Sequence, residues 1–68
     1  MRVIKIPLNT RVGGVLFHNT AIDLWCQENG LVKNKDYQCA YMTGLKEFHV
    51  TFNFGSESYA SMLAMRFV

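Results

Sequence analysis

Proline and cysteine are scarce in this 68-residue chain, which holds one proline, Pro7, and two cysteines, Cys26 and Cys39. Two cysteines cannot build the dense disulfide framework on which small secreted domains rely. One proline and five glycines exclude collagen-like and low-complexity linker composition. No apolar run approaches the ~18 residues of a membrane-spanning helix, and no charged start followed by an apolar stretch and a small-residue cleavage site marks a secretory signal. The expectation is a soluble, cytoplasmic protein with no membrane partner, whose cysteines stay reduced as buried thiols. Charge is also sparse: seven Lys and Arg oppose five Asp and Glu, for a formal +2. That balance excludes a dedicated polycation.

Apolar side chains are plentiful. Half the residues are hydrophobic and 13% are aromatic, the composition of a globular chain rather than a disordered one. The length allows one small domain, residues 1–68, near the lower size limit for independent stability. A domain of about 60 residues buries only ~60% of the surface its unfolded chain exposes, so burial barely offsets conformational entropy. Disulfides, a metal or association usually make up the difference.

Periodicity outlines the path of the chain. In residues 2–8, Ile4, Ile6 and Leu8 alternate with Lys5 and Pro7, as in a strand, and Pro7 predicts that this strand is an edge or ends there. Residues 9–14, with Gly13-Gly14, read as a loop. A helix ends near residue 29, where Gly30 and the apolar Leu31 predict a Schellman ending. Its start points to Asn19, or to Thr20 with Asp23 in a capping pattern, and Ile22, Trp25, Cys26 and Asn29 form the expected core stripe flanked by Ala21 and Leu24. Whether Val15-Leu16-Phe17 extend this helix or form an extended piece is left open by the pattern.

Residues 33–36 form a polar turn, and 37–54 an antiparallel hairpin. Glu47 to Phe54 alternate polar and apolar side chains, so Phe48, Val50, Phe52 and Phe54 are expected on the buried face and Glu47, His49, Thr51 and Asn53 on the wet one. An even loop is required if Tyr37, Cys39 and Tyr41 are to share the face of Phe48, Val50 and Phe52. Gly55 to Ser58 end the strand and open a second helix, capped by Ser56 or Ser58 with Glu57 near its positive end; Tyr59, Met62, Leu63 and Phe67 form its stripe beside Ala60 and Ala64. The alternation of Met65-Arg66-Phe67-Val68 also fits a short last strand. The expected fold is an α+β two-layer sandwich, β-α-β-β-α, which becomes ferredoxin-like if that last strand exists.

Chemistry-bearing motifs are few. His18, Cys26, Cys39 and His49 are suitable zinc ligands, but 7, 12 and 9 residues separate them, without the close pairs of structural zinc sites. Neither cysteine sits in the electropositive setting of a catalytic thiolate, and a chain this small has little volume for a substrate cleft. Gly13-Gly14 lacks the Lys and Ser or Thr of a phosphate loop and reads as a tight turn. The aromatics of residues 46–54 resemble the central strand of RNA-recognition domains but fall on the core face, and no glycine lies among them. The reading is therefore no enzyme, no cofactor and no metal.

Association remains as the stabiliser. The wet face offers Gln38, Met42, His49 and Thr51, with Leu45 at the hairpin tip, and Phe17 belongs to a second apolar patch with Val12 and Leu16; these six, Gln38, Met42, Leu45, His49, Thr51 and Phe17, are the interface candidates. The leading function is a non-enzymatic protein-binding module that occupies a partner's surface and forms a homodimer. In class it resembles the small accessory or host-takeover proteins that bacteriophages encode, although no motif or residue carries that likeness. The alternative is a small nucleic-acid-binding or regulatory domain using the scattered basic residues. A ligand or metal site completed only in an oligomer is the third reading.

Overall fold

The computed structural model describes residues 1–68. Three strands and two helices follow one another as β1 (Arg2–Pro7), α1 (Val15–Glu28), β2 (Tyr37–Met42), β3 (Glu47–Phe52) and α2 (Tyr59–Phe67). The strands form one antiparallel sheet in the order β1-β3-β2, so the alternating segment at Glu47–Phe52 is central. Its even-numbered side chains, Phe48, Val50 and Phe52, are fully buried with Ile6 and Tyr37 from the flanking strands, Ile22 and Cys26 from α1, and Ala60 and Leu63 from α2. Both helices therefore cover the same face, α1 over β2 and α2 over β1.

The hairpin register pairs Met42 with Glu47, Tyr41 with Phe48 and Cys39 with Val50. The connecting loop thus holds residues 43–46, an even number, and the agreement of the two hydrophobic faces required it. Lys46 closes the loop at φ 52. Tyr41 packs at 4.9 Å, centroid to centroid, from Phe48.

α1 starts earlier than either cap pattern predicts. Its N-cap is Gly14, Val15-Leu16-Phe17 are helical, and Asn19 and Thr20 lie inside the helix. Asp23 caps nothing: one carboxylate oxygen accepts from the Tyr37 hydroxyl at 3.0 Å and the other from Lys33 Nζ at 3.1 Å, tying the helix to β2 and the turn before it. The early start adds His18 to a buried line with Ile22 and Cys26, whereas Trp25 is only half-buried and Leu24 is exposed. The C-terminus is a Schellman ending, with Gly30 at φ 80, its N–H donating to the Gln27 carbonyl at 3.0 Å and the Leu31 N–H to the Cys26 carbonyl at 3.0 Å. Leu31 is buried beneath it.

Three expectations fail after β3. The ladder stops at Phe52, and Phe54 is 95% exposed instead of joining the core. Asn53 still pairs in register, its N–H donating to the Asp36 carbonyl, while its side-chain amide donates to the Lys35 carbonyl, so Asn53 is bound to the 33–36 turn rather than displayed on the wet face. The chain then leaves in a turn closed by the Ser56 N–H on the Asn53 carbonyl at 3.0 Å, with Gly55 at φ 97. Ser56 fills the space beside it, buried, with its Oγ 2.6 Å from the Asp36 carbonyl and 3.0 Å from that of Asn53. Ser58, not Ser56, is the N-cap of α2, and its hydroxyl makes no cap bond. In α2, Ala60 and Leu63 form the buried contact while Met62 points outward and half-exposed, since a nine-residue helix resting on one sheet face can bury only a narrow stripe. Residues 59–67 are helical, so no fourth strand follows and the ferredoxin-like alternative is not completed.

Candidate functional site

The face of the sheet opposite the helices is bare. Register places its side chains in three rows: Val3, Thr51 and Gln38; Lys5, His49 and Ala40; Pro7, Glu47 and Met42. The side chains from β1 and β2 are exposed and those from β3 half-buried between them. His49 Nε2 donates to Glu47 Oε1 at 2.8 Å along the middle strand, so the centre of the face holds a linked His–Glu pair beside Lys5. Around this polar centre lie Val3, Pro7, Ala40 and Met42. The face thus mixes a charged and polar centre with four apolar neighbours.

Four of the six expected interface residues, Gln38, Met42, His49 and Thr51, come together on this face, and Leu45, in the hairpin loop beyond the register, is 64% exposed. Phe17 does not join them. It lies on the helix side, edge-on to His18 with 5.8 Å between ring centroids. Gly13 makes that position possible, because a Cβ there would stand 2.6 Å from the Phe17 ring.

His18 is the residue that sequence reasoning placed least well. It is buried and stacked on Phe48 at 5.6 Å with the rings 9° from parallel. Its Nδ1 lies 2.8 Å from the Gly14 carbonyl, to which it donates, and its Nε2 accepts the Asn9 N–H at 3.3 Å. Those partners assign the neutral tautomer carrying its proton on Nδ1, and both ring nitrogens are used. The imidazole thus pins the 9–14 loop to the helix and core. The signal was present as the spacing His18, Ile22, Cys26, but it appears only once the helix is begun at Val15.

The zinc candidates do not converge. His18 lies on the helix side of the sheet and His49 on the bare side, and no group of three or more His, Cys, Asp or Glu side chains is placed to hold a metal ion. The cysteines are free thiols. Burial pushes Cys26 from the usual 9.0 up to about 12, helped by the carboxylate of Asp23, and burial likewise pushes Cys39 up to about 11. Thiols held so far from ionisation are poor nucleophiles at neutral pH.

One cleft is present, about 270 Å³, between the 9–14 loop, α1 and the end of α2. Pro7, Asn9, Phe17, His18, Arg66 and Phe67 contribute to its walls. Its volume falls below the ~300 Å³ where small-molecule sites begin. His18 turns both nitrogens to backbone groups, which leaves Arg66, set 5.2 Å from the Phe67 ring centroid, as the one charged group in the walls. A nucleophile, a base and an acid do not meet there.

The bare face carries no aromatic side chain, because Tyr37, Tyr41, Phe48 and Phe52 all turn toward the helices. Bases have nothing to stack on. No helix is long and apolar enough to cross a membrane. No family model matches the chain, and neither a curated protein nor a solved structure matches it.

Proposed function

We propose that this protein is a non-enzymatic protein-binding module that occupies a partner's surface with the bare face of its sheet and also associates with itself. The observation that carries the reading is the one-sided covering of the sheet: both helices pack on one face and leave Gln38, Met42, His49 and Thr51 together on the other. Surplus apolar surface supports it. Fourteen large hydrophobic residues remain exposed against a buried core of ten residues, and Val3 and Met42 among them lie on the bare face. In a chain with free thiols, association is the stabilising device the sequence has room for.

The His49–Glu47 pair gives the face a fixed polar feature at its centre, suited to orienting a partner while the apolar rim supplies contact area. A binder of this kind fits the small accessory proteins that act by covering a site on a larger one.

Affinity capture with the tagged chain, followed by mass spectrometry, tests the reading. A protein partner should be retained as salt is raised and released by Gln38→Arg, while Phe17→Arg keeps it. Nucleic acid lost steeply with salt would favour the alternative of a nucleic-acid-binding domain. A protein partner released by Phe17→Arg and indifferent to Gln38→Arg would contradict the assignment of the face.

A further inference from the structure

The two edges of the sheet are not equivalent. The Leu8 N–H donates to the Lys46 carbonyl at 2.9 Å, and these residues stand opposite one another in the β1–β3 register, so even-numbered residues of β1 point their backbone groups at β3. The outward groups of β1 therefore belong to Val3, Lys5 and Pro7. That edge is guarded: Pro7 has no N–H to offer, and Arg2 and Lys5 place charges along it.

On the opposite edge the Asn53 N–H donates to the Asp36 carbonyl at 2.9 Å, again between residues in register, so Gln38, Ala40 and Met42 bond to β3. Tyr37, Cys39 and Tyr41 turn their N–H and C=O groups outward. The 33–36 turn folds over the first of these, with the Asn34 N–H reaching the Tyr37 carbonyl at 2.8 Å. Nothing in the fold answers Cys39 and Tyr41. The strand Tyr37–Met42 has no charge, no proline and no glycine, none of the devices that normally keep an edge from pairing.

We propose that the open edge of β2 pairs antiparallel with β2 of a second copy across a two-fold axis at Ala40, joining the two sheets into one of six strands. The inference rests on the self-association in the function proposed above and gives it a place. In this register Cys39 faces Tyr41 of the second copy and Tyr41 faces its Cys39, and each pair exchanges both backbone hydrogen bonds, so every outward group left unanswered in the monomer is used. The segment Cys39–Tyr41 is just long enough, because Tyr37 is already covered. On the bare face, Ala40 meets its symmetry mate at the close, non-hydrogen-bonded spacing where a small side chain fits, and Met42 lies opposite Gln38 with its apolar end near the paired alanines. The strand is uncharged, so no like charges oppose across the axis, and an isologous contact closes at two copies instead of growing into a fibre. The two bare faces become continuous.

Sedimentation from low micromolar to near millimolar concentration tests the pairing with wild type, Ala40→Lys and Ala40→Glu. Ala40 is exposed, so both variants should keep the wild-type far-ultraviolet circular dichroism. Wild type should reach twice 7.8 kDa, each variant alone should weaken self-association at least tenfold, and an equimolar mixture should form a heterodimer. Amide exchange gives a second readout: the Cys39 and Tyr41 N–H groups should become protected as wild type is concentrated, while those of Val3 and Lys5 stay fast. A dimer indifferent to both charges, or with Cys39 and Tyr41 still fast, overturns the edge pairing and leaves self-association standing. A 7.8 kDa particle at every concentration overturns both.

Discussion

The two faces of β3 differ, at alternate residues, in how completely the rest of the chain covers them. Phe48, Val50 and Phe52 are fully buried under both helices, whereas Glu47, His49 and Thr51, one residue away in each case, stay accessible between exposed neighbours. One face is held by burial and is intolerant of truncation; the other makes few contacts within the chain and is free to change with a partner. Parity along one strand thus decides which side chains hold the fold and which are left accessible to the proposed partner.

The sharpest break of that comparison is a truncation on the buried face. Phe48 is fully buried with His18 stacked on it and Tyr41 packed against it, so Phe48→Ala should cost ~3–5 kcal/mol and unfold most of the population at ambient temperature, read as lost far-ultraviolet dichroism. Ser56→Ala should come next. It removes a buried hydroxyl's bonds to the Asp36 and Asn53 carbonyls, each of which keeps a backbone donor, and should cost about 0.5–1.5 kcal/mol in denaturant titration, while Ser58→Ala, whose hydroxyl makes no cap bond, should change little.

High pH probes the same core chemically. Cys26 is raised from 9.0 in the unfolded chain to about 12 in the fold, so its contribution is complete below pH 9 and is lost as pH climbs from 9 toward 12. The loss at pH ~10 should be about 1 kcal/mol, and Cys26→Ala, though less stable at neutral pH, should show a flatter decline. Gly30→Ala should be of similar size: φ 80 disfavours a side chain although nothing stands in its way, and ~1 kcal/mol is expected from thermal melts.

Much of this arrangement was legible in the sequence. The alternation at Glu47–Phe52 and the face shared with Tyr37, Cys39 and Tyr41 follow from the period-two pattern alone, and Gly30 with Leu31 marked the end of α1. What escaped has local physical causes. The helix start was hidden because Gly14 caps without a side chain, so Asn19 and Thr20 looked like better caps than they are, and His18 consequently looked like a spare ligand instead of a core residue. Phe54 keeps the alternating pattern after the backbone has left the sheet, inside the turn that the Ser56 N–H closes on the Asn53 carbonyl with Gly55 at φ 97, and periodicity does not register that turn. Pro7 marked β1 as an edge in the sequence, and β1 is one, but which backbone groups each edge leaves open follows only from the register of β1 and β2 against β3. Phe17, expected in a second apolar patch with Val12 and Leu16, lies apart from the sheet face and lines the cleft with Val12.

The central claim, that one face of the sheet folds the protein while the other is left to bind, is tested most directly by Thr51→Arg, measured for both melting temperature and partner capture. Thr51 sits on the bare face between Val3 and Gln38, so the account predicts an unchanged melting temperature and lost capture. A variant that melts as low as Phe52→Ala, or that melts like wild type and still holds its partner, would contradict it.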